Sequence, residues 1–426
     1  MMNLSIGLMS GTSMDGVDAA LLSLSDDESS IIDLGHVSLD YAFESKLLFK
    51  AAEYSFKQAE GSIERASINF QQDLKTYLND LTLCAAKSTK ELLAFLNINK
   101  PFISLEDVIQ HSTNLHIQCV QLLLAQTNYS RDQIAVIGYH GQTVYHKPEQ
   151  RMSITLASPQ YMADQLNIDV VHDFRREDVL AGGQGAPFAP LYHFALAKRD
   201  HKFPIGIINC GGIANVTIIP DNNLTHVHAF DTGPGNGLID LLVRRHTHGK
   251  ESMDRNGIYG SVGIVHDDVL QALHNTAVIK NGQNYLKASP PKSLDIADMQ
   301  LIPEVLALNL NDACATLEAF TAMTIVDGLQ LLPPEVTIPN HWVVCGGGWK
   351  NPVIKRAFDA ELSKLLGKNI ILQTADDIGW NSVAMEAQIF AYLAIESLRG
   401  KPLSLPNTTG VPRPMTGGTH YKKSFT

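Results

Sequence analysis

The sequence predicts an α/β protein made of two lobes with related topology. The chain has 426 residues, whereas a single hydrophobic core stops growing at roughly 250–300 residues. Segments with helical spacing of apolar residues alternate with short apolar runs that are typical of buried strands, as in α/β architectures. The strand–turn–strand pattern that opens the chain also returns roughly one domain length later.

Composition excludes several classes of partner. With 45% hydrophobic and 18% charged residues the chain is ordinary for a globular protein. Its 44 acidic and 33 basic residues give a formal charge of −11, which repels nucleic acid and anionic membranes. No basic signal segment and no apolar stretch of about 18 residues is present, so we expect a cytoplasmic protein. Five scattered cysteines without CxxC spacing indicate a reducing compartment: Cys84, Cys119, Cys210, Cys314 and Cys345.

The first element is the segment GLMSGTSMDGVDAALL at 7–22. It predicts a strand, a tight turn and a second strand, because Gly11 and Gly16 permit backbone angles that other residues resist. The N–H groups and hydroxyls of such a turn suit a phosphate, although an ordinary turn has the same composition. After it, residues 44–98 predict two amphipathic helices separated near Gly61.

Short strands follow a further helix that is predicted over about 105–127. The apolar runs at 134–139, 153–158 and 169–174 are each followed by polar or glycine-rich sequence. In α/β proteins the functional groups lie on the loops after the strands. We therefore expect the chemistry of the first lobe at the ends of these runs.

The second half repeats the opening pattern, since 205–219 again runs from an Ile-Gly strand through small residues into a second strand. This indicates a duplicated lobe, although two such short pieces can also resemble each other by chance. Glycine clusters at 230–240 and 342–352 would let a ligand approach the backbone closely. Neither a Walker A loop nor a GxGxxG motif is present, which disfavours the P-loop and Rossmann classes. Two lobes with one phosphate-binding hairpin each would bind a nucleotide in the cleft between them.

Six blocks together resemble the anhydro-N-acetylmuramic acid kinase family, and they keep their order from residue 7 to beyond residue 386. The blocks are GLMSGTSMDGVDAAL, GYHGQTVYHKP, DFRREDVLAGGQGAPFAP, NCGGIANVT, FDTGPGN and CGGGWKNP. The resemblance implies the actin-like sugar-kinase fold, with two ribonuclease-H-like lobes, ATP in a central cleft, and a homodimer. It also implies a role in peptidoglycan recycling. We assign 1–200 to the first lobe, 201–394 to the second, and 395–426 to a tail that packs back on the first.

The resemblance implies that both hairpins bind the phosphates of ATP through backbone amides and hydroxyls, while acidic residues orient hydrated Mg²⁺. Asp15 and Asp231 are the expected carboxylates near the metal, with Asp18 a weaker third, although each aspartate could instead cap its own turn. The glycines at 346–348 resemble the adenosine-contacting segment, or form a plain strand–helix turn. The predicted nucleotide-binding residues are Gly11, Thr12, Ser13, Met14, Asp15, Gly16, Val17, Asp18, Gly211, Gly212, Asn215, Asp231, Gly233, Gly346, Gly347 and Gly348.

The implied substrate is a 1,6-anhydro sugar, whose 6-oxygen is locked in an internal acetal and carries no proton. Water must therefore attack the anomeric carbon while the released 6-oxygen takes the γ-phosphoryl group, and a carboxylate must accept the proton of that water. Asp173 is the predicted base, because it ends the predicted strand at 169–174 and matches the Asp-Phe-Arg block of the family. The alternative is a structural salt bridge from Asp173 to Arg175 or Arg176.

Substrate contacts are expected from His140, Gln142, Thr143 and Arg175, although a histidine at a strand end could merely satisfy a buried backbone group. The chain departs from the family at Val383, which stands where an acidic residue usually precedes the glutamate matching Glu386 by three positions. Two other functions stay open. One is a kinase of the same fold acting on another small sugar or a carboxylic acid, which would add phosphate without water. The other is a non-catalytic ATP-driven switch.

Overall fold

The computed structural model describes residues 2–11, 13–27, 29–80, 88–280 and 282–424, so that the predicted site residue Thr12 and Cys84 lie outside the described residues. The chain divides into two compact units. The first contains Met1–Tyr192, Val383–Leu405 and Val411–Thr426, and the second contains His193–Ser382 and Pro406–Gly410. This differs from the predicted lobes in three places: residues 193–200 belong to the second unit, residues 383–394 belong to the first, and residues 406–410 of the tail belong to the second.

Helices and strands alternate as the sequence predicts. The strands are β1 (Met2–Met9), β2 (Gly16–Ser25), β3 (Ile31–Asp40), β4 (Ile134–Tyr139), β5 (Gln142–Lys147), β6 (Met152–Leu156), β7 (Val170–His172), β8 (Ile205–Cys210), β9 (Ile213–Ile219), β10 (His228–Pro234), β11 (Ile279–Lys280), β12 (Gln283–Asn284), β13 (His341–Cys345), β14 (Ile371–Thr374) and β15 (Thr419–Tyr421). The helices are α1 (Phe43–Gln58), α2 (Ile63–Asp80), α3 (Thr89–Phe95), α4 (Leu105–Thr127), α5 (Pro159–Leu166), α6 (Arg176–Leu180), α7 (Ala189–Arg199), α8 (Gly237–His246), α9 (Asp267–Thr276), α10 (Pro303–Leu306), α11 (Leu310–Gln330), α12 (Pro352–Leu366), α13 (Met385–Leu398) and α14 (Pro406–Thr409).

The predicted helix over 105–127 is confirmed as α4, and its ends have clear causes. Ser104 and Asp107 form a capping box at the start, and Asn128 ends the helix in the left-handed conformation. The predicted break near Gly61 is also confirmed, since Gly61 has φ +79° between α1 and α2. The region 44–98, however, holds a third helix, α3, that the sequence did not predict.

The two units share one sheet topology. In the first unit the strand order is β15-β7-β4-β1-β2-β3, and in the second it is β10-β9-β8-β13-β14. Each sheet contains an antiparallel meander of three strands, with two parallel strands added beside the first strand of the meander. The predicted duplication is therefore confirmed, and with it the α/β fold of two ribonuclease-H-like lobes. The run at 153–158 forms a strand, but it pairs with β5 outside the main sheet.

Helix α13 packs directly on the sheet of the first unit, which explains the corrected boundary. Gly7 and Gly138 are paired on neighbouring strands. A Cβ atom at Gly7 would clash with the backbone of Ala387 and Ala391, and one at Gly138 with the carbonyl of Phe390. Only glycine allows this close approach, so the two glycines fix α13 in the first unit.

The end of the chain adds an edge strand to the same sheet. Strand β15 pairs with β7 in antiparallel register, with Thr419 opposite His172 and Tyr421 opposite Val170. His420 Nε2 lies 2.8 Å from Asp169 Oδ2, and Ser397 Oγ donates to the carbonyl of Gly417 at 2.6 Å. The C-terminal segment is thus an ordered part of the first unit, held by strand pairing and side-chain contacts.

Candidate active site

Asp173 follows directly on strand β7, at the carboxyl end of the parallel part of the first sheet. Its φ of +60° lies in the left-handed region, which Asp and Asn tolerate better than most other residues. Its side chain is 33% exposed, and its Oδ1 lies 3.6 Å from His172 Nε2. The carboxylate is therefore accessible to a ligand and held in an unusual backbone conformation.

His172 does not form a charged pair with Asp173. Its Nδ1 lies 2.6 Å from the carbonyl oxygen of Tyr139, which can only accept, so Nδ1 carries the proton. Nε2 is then free to accept from Thr155 Oγ1 at 3.2 Å. Burial lowers the pKa of His172, against an upward effect of Asp173, and favours the neutral ring.

Arg175 is committed to other partners. Its Nε and Nη2 lie 3.3 and 3.0 Å from His140 Nε2, and its Nη1 donates to the carbonyl of Gly185. Burial lowers the pKa of Arg175 to about 10, so the guanidinium stays charged near neutral pH. Among the described residues, neither Arg175 nor Arg176 forms an ion pair with Asp173. The salt bridge from Asp173 to Arg175 or Arg176, which the sequence left open, is therefore not formed in the described part of the chain.

His140 is neutral, with its proton on Nδ1. Because a guanidinium can only donate, Nε2 must accept from Arg175. Burial, and then the charge of Arg175, hold the pKa of His140 well below its ordinary value. The ring also packs against Phe390, with centroids 4.7 Å apart. His140 thus couples Arg175 to the end of strand β4.

Gln142, the first residue of strand β5, links that strand to the first hairpin. Gln142 Nε2 donates to the carbonyl of Gly11 at 2.9 Å, so the structure brings these two predicted residues together. Gln142 Oε1 and Thr143 Oγ1 are buried and have no hydrogen-bond partner among the described residues. Buried polar atoms normally have a partner, so these two acceptor atoms are candidates for ligand contacts.

The first hairpin divides into exposed and buried parts. Met14 and Val17 belong to the hydrophobic core, so their side chains point away from any ligand at the turn. The Asp15 side chain is 79% exposed, with Lys46 Nζ at 3.4 Å, and Asp18 accepts from Ser38 Oγ. Of the sixteen predicted nucleotide-binding residues, Ser13 lies exposed in the same turn, and Gly16 packs its backbone against strand β3.

The glycine-rich loop after Asp173 is held by polar side chains. The Gly185 N–H donates to Asp178 Oδ1, and His146 lies with its Nε2 3.0 Å from the carbonyl of Gln184. Gly185 has φ +68°, and a Cβ atom there would come within 2.6 Å of Val179. These contacts fit a loop that shapes the site rather than reacting.

A cavity of about 660 Å³ opens beside Asp173 within the first unit. The β5–β6 hairpin, the α1–α2 turn, helix α6 and the C-terminal strand all contribute to it. Its lining residues are Gly61, Ser62, Ile63, Arg151, Met152, Ser153, Ile154, Thr155, Ala157, Pro159, His172, Asp173, Arg176, Val179, Leu180 and Tyr421. The volume falls within the usual range of small-molecule sites, roughly 300–1,000 Å³.

In the second unit, three polar side chains stand in a row across neighbouring strands. Asn209 on β8 is paired with Asn215 on β9, and Asn215 with Asp231 on β10. Directly paired residues share one face of a sheet, and all three are half-buried. Asn209 was not predicted, although counting outward from the turn of the hairpin would have placed it opposite Asn215.

Asp231 sits in an enclosed environment. Its Oδ2 accepts from the Leu294 N–H at 2.7 Å, whereas Lys292 Nζ is 3.1 Å from the carbonyl of Tyr285. Burial raises the pKa of Asp231 to about 7, against the hydrogen bond from Leu294 and the charges of Lys280 and Lys292. A nearby cation would favour the ionised form. The oxygen atoms of this carboxylate and of the two amides are ligands that suit Mg²⁺.

The β8–β9 turn packs against the start of helix α8. The carbonyls of Gly211 and Gly212 accept from the N–H groups of Gly235, Asn236 and Gly237 at 2.8–3.1 Å. A Cβ atom at Gly235 would clash with the carbonyl of Gly211, so this approach requires glycine. A Cβ atom at Gly211 itself would meet, among the described atoms, one backbone oxygen at 3.8 Å. The carbonyl side of the turn is therefore fixed against the start of α8, whereas the side on which a Cβ atom of Gly211 would project is open.

The remaining predicted glycines differ in their surroundings. Gly346 has φ +92°, and Gly348 packs against Cys210, whereas a Cβ atom at Gly347 would meet no described atom within 4 Å. Gly233 packs against Thr324 of α11. Gly348 and Gly233 thus have structural reasons to be glycine, and Gly347 borders open space.

Two features were not assigned from the sequence. Glu386 lies in the first turn of α13, and its pKa is raised by desolvation and then by Asp18, while Arg175 lowers it. Tyr421, in the tail, lines the cavity beside Asp173. Val383, the departure from the family pattern, is 66% exposed.

Within the described residues, no group of three or more His, Cys, Asp or Glu side chains could hold a metal, and no helix has the length and apolar character of a membrane span.

Comparisons with known proteins agree with this architecture. The sequence profile of the anhydro-N-acetylmuramic acid kinase family matches residues 59–423. The enzyme of that name from Rhodospirillum rubrum is 36% identical, covering 98% of this chain and 93% of its own length. The one from Zymomonas mobilis is 35% identical, covering 98% and 100%.

A solved structure is similar at a much lower level. A ROK family glucokinase from Streptomyces griseus, in complex with glucose and AMPPNP, is 9% identical and covers 92% of this chain and 100% of its own, with a TM-score of 0.38. This similarity is too remote to add to the assignment. The profile match and the full-length relatives show that the chain belongs to the anhydro-N-acetylmuramic acid kinase family.

Proposed function

We propose that this chain is an ATP-dependent kinase that opens 1,6-anhydro-N-acetylmuramic acid with water and phosphorylates it to N-acetylmuramic acid 6-phosphate. Membership of the family supports the reaction. The observation that carries the mechanism is Asp173, an accessible carboxylate at a strand end that lines a cavity. Because ATP is the donor, we place the reaction in the cytoplasm, as a step of peptidoglycan recycling. A homodimer is proposed on the resemblance alone.

The reaction requires one proton acceptor and one phosphoryl donor. A water oxygen attacks the anomeric carbon and its proton passes to the Asp173 carboxylate, while the bond from that carbon to the bridging 6-oxygen breaks. The 6-oxygen takes the γ-phosphoryl group, and ADP leaves. Asp173 suits the role of base because no cation is paired with it in the described chain.

Other residues of the first unit support substrate binding. Arg175 is fixed by His140 and by the carbonyl of Gly185, so its charge is held in place next to the β4–β5 loop. Gln142 Oε1 and Thr143 Oγ1 are buried acceptors without partners among the described residues. We propose that sugar hydroxyl or amide groups donate to these two atoms.

Nucleotide binding is proposed for each unit separately. In the first unit, the turn after Gly11 carries the exposed side chains of Ser13 and Asp15. In the second unit, the open side of Gly211 and the row of Asn209, Asn215 and Asp231 suit phosphate and Mg²⁺. The Mg²⁺ ion would neutralise the charge that develops on the phosphates. Gly346 and Gly347 are proposed to adjoin adenosine.

The test separates this reaction from that of another kinase of the same fold. The protein is incubated with Mg-ATP and the anhydro sugar in heavy-oxygen water, and the product is weighed by mass spectrometry. The expected product gains both phosphate and one water, with the heavy oxygen on the anomeric carbon. A product that gains phosphate alone, or hydrolysis of ATP without any sugar product, would contradict the proposal.

A further inference from the structure

We propose that the cavity beside Asp173 is the specificity pocket for the acidic ether side chain of the sugar, and that Arg176 binds its carboxylate with Arg151 as a second cation. The inference rests on the proposed function, because it takes the substrate to be a muramic acid derivative. It assigns a binding role to the described C-terminal segment and to two arginines that the mechanism leaves unused.

Two guanidinium groups at the cavity have no protein partner among the described residues. Arg151 and Arg176 both line the cavity, and in the described chain neither side chain forms a hydrogen bond or an ion pair. Arg175, next in sequence to Arg176, uses its N–H groups on His140 and Gly185. The contrast leaves two cationic donors for a ligand on a chain whose formal charge is −11.

The two arginines reach the cavity from unrelated segments. Arg151 lies in the tight turn between β5 and β6, with φ +56°, and Arg176 begins α6 after Asp173. A guanidinium is a planar set of donors that matches a carboxylate with two parallel hydrogen bonds. Convergence of two such groups on one cavity favours an anionic ligand with oxygen acceptors.

The rest of the lining suits the apolar part of the same side chain. Ile63, Met152, Val179 and Leu180 provide an apolar surface for methyl groups. Tyr421 completes the wall, because β15 pairs with the strand that leads to Asp173. Asp173, Arg176 and Tyr421 all line this one cavity, and burial and then the charge of Asp173 raise the pKa of Tyr421, whereas Arg176 lowers it.

The substrate carries its carboxylate where this arrangement requires it. The acidic ether is attached to the 3-oxygen, away from the anomeric carbon that must meet the water at Asp173. A sugar oriented with its anomeric carbon at Asp173 can therefore extend the ether along the cavity toward Arg176. The carboxylate and Asp173 are then separated by the sugar ring instead of repelling each other directly.

The experiment compares 1,6-anhydro-N-acetylmuramic acid with 1,6-anhydro-N-acetylglucosamine, which lacks the acidic ether. Binding of each is measured by titration calorimetry, and turnover by product formation. We expect Arg176→Gln to raise Kd and KM for the acid roughly 10- to 100-fold, the range for a lost hydrogen bond to a charged group. Binding of the neutral sugar should stay unchanged. Arg151→Gln should also raise Kd and KM for the acid. Arg176→Lys should give values between those of the wild type and those of Arg176→Gln.

The matched control is Arg131→Gln, which removes an exposed arginine that does not line the cavity. It should leave both sugars unaffected. Equal loss on both sugars in Arg176→Gln, or wild-type protein that binds both equally, would overturn the inference. If the wild type binds the acid preferentially but forms no phosphorylated product, the inference stands and the proposed function fails.

Discussion

Replacing Asp173 by asparagine separates a catalytic base from a structural carboxylate. The backbone at Asp173 has φ +60°, and asparagine is among the few residues that accept this region. The nearest cationic candidate is His172 at 3.6 Å; its contacts with the carbonyl of Tyr139 and with Thr155 Oγ1, together with the lowering of its pKa by burial, favour a neutral ring. Asp173→Asn therefore removes no ion pair and adds no strain, and the free energy of unfolding should change by less than about 0.5 kcal/mol.

The effect on turnover should be far larger. Loss of a positioned general base costs about 10²–10⁴ in rate, which is about 3–5 kcal/mol of barrier at 1.36 kcal/mol for each factor of ten. ATP affinity should stay the same, because the proposed phosphate-binding turns do not include Asp173. The assay measures turnover of the anhydro sugar, ATP affinity by titration and thermal unfolding on one preparation.

Asp173→Ala is the matched comparison. Alanine in the left-handed region costs about 1–2 kcal/mol, so this variant should lose both stability and activity, whereas Asp173→Asn loses activity alone. Turnover of Asp173→Asn within a few-fold of the wild type would show that Asp173 is not the base. A fall in its melting temperature equal to that of Asp173→Ala would return Asp173 to a structural role.

Three further predictions concern two glycine turns and a buried acid. Gly11→Val should fold normally, since a Cβ atom there meets, within the described residues, only the hydroxyl of Ser13 at 3.5 Å. ATP titration of this variant should nevertheless show an affinity at least about tenfold weaker. In Gly235→Ala the new Cβ atom clashes with the carbonyl of Gly211, so this variant should lower the free energy of unfolding by roughly 1–3 kcal/mol. Burial, with Asp254 nearby, raises the pKa of Glu318 from 4.5 to about 8. Between these two pH values the native state keeps a proton that the unfolded chain loses. The free energy of unfolding should therefore fall as the pH rises from about 4.5 to about 8. Glu318→Gln should flatten this part of a pH series of thermal unfolding, and an unchanged slope would contradict the assignment.

Local patterns predicted most of the strands and the long helix, because these depend on nearby residues. The bounds of α4 follow from a serine cap and a left-handed asparagine, both visible in the sequence. The repeat of strand, turn and strand at 6–22 and 205–219 likewise predicted two sheets of one topology, and the strand orders agree.

Long-range packing could not be predicted in the same way. The hydropathy of α13 shows that it is buried but not against which sheet, and the answer depends on Gly7 and Gly138, far away in sequence. The tail gave no strand signal, because three residues at Thr419–Tyr421 are too few to show a period of two. That strand nevertheless brings Tyr421 to the cavity.

At the candidate active site, too, the sequence predicted the residues but not their contacts. The sequence left the salt bridge and the base as equal alternatives for Asp173, and the distances from Arg175 to His140 and Gly185 decide against the salt bridge. No sequence pattern shows which of two neighbouring arginines is paired. The structure shows that the Arg175 side chain is paired with His140 and Gly185. The Arg176 side chain has no such partner within the described part of the chain.

The row of polar side chains in the second unit is a consequence of register. Once the β8–β9 turn pairs Cys210 with Ala214, Asn209 must stand opposite Asn215, and the β9–β10 pairing adds Asp231. A one-residue slip would move each side chain to the other face of the sheet. The carbonyl contacts of the β8–β9 turn with the start of α8 oppose such a slip. The glycines of this turn therefore act on the proposed phosphate site twice, by leaving its front open and by fixing which side chains face it.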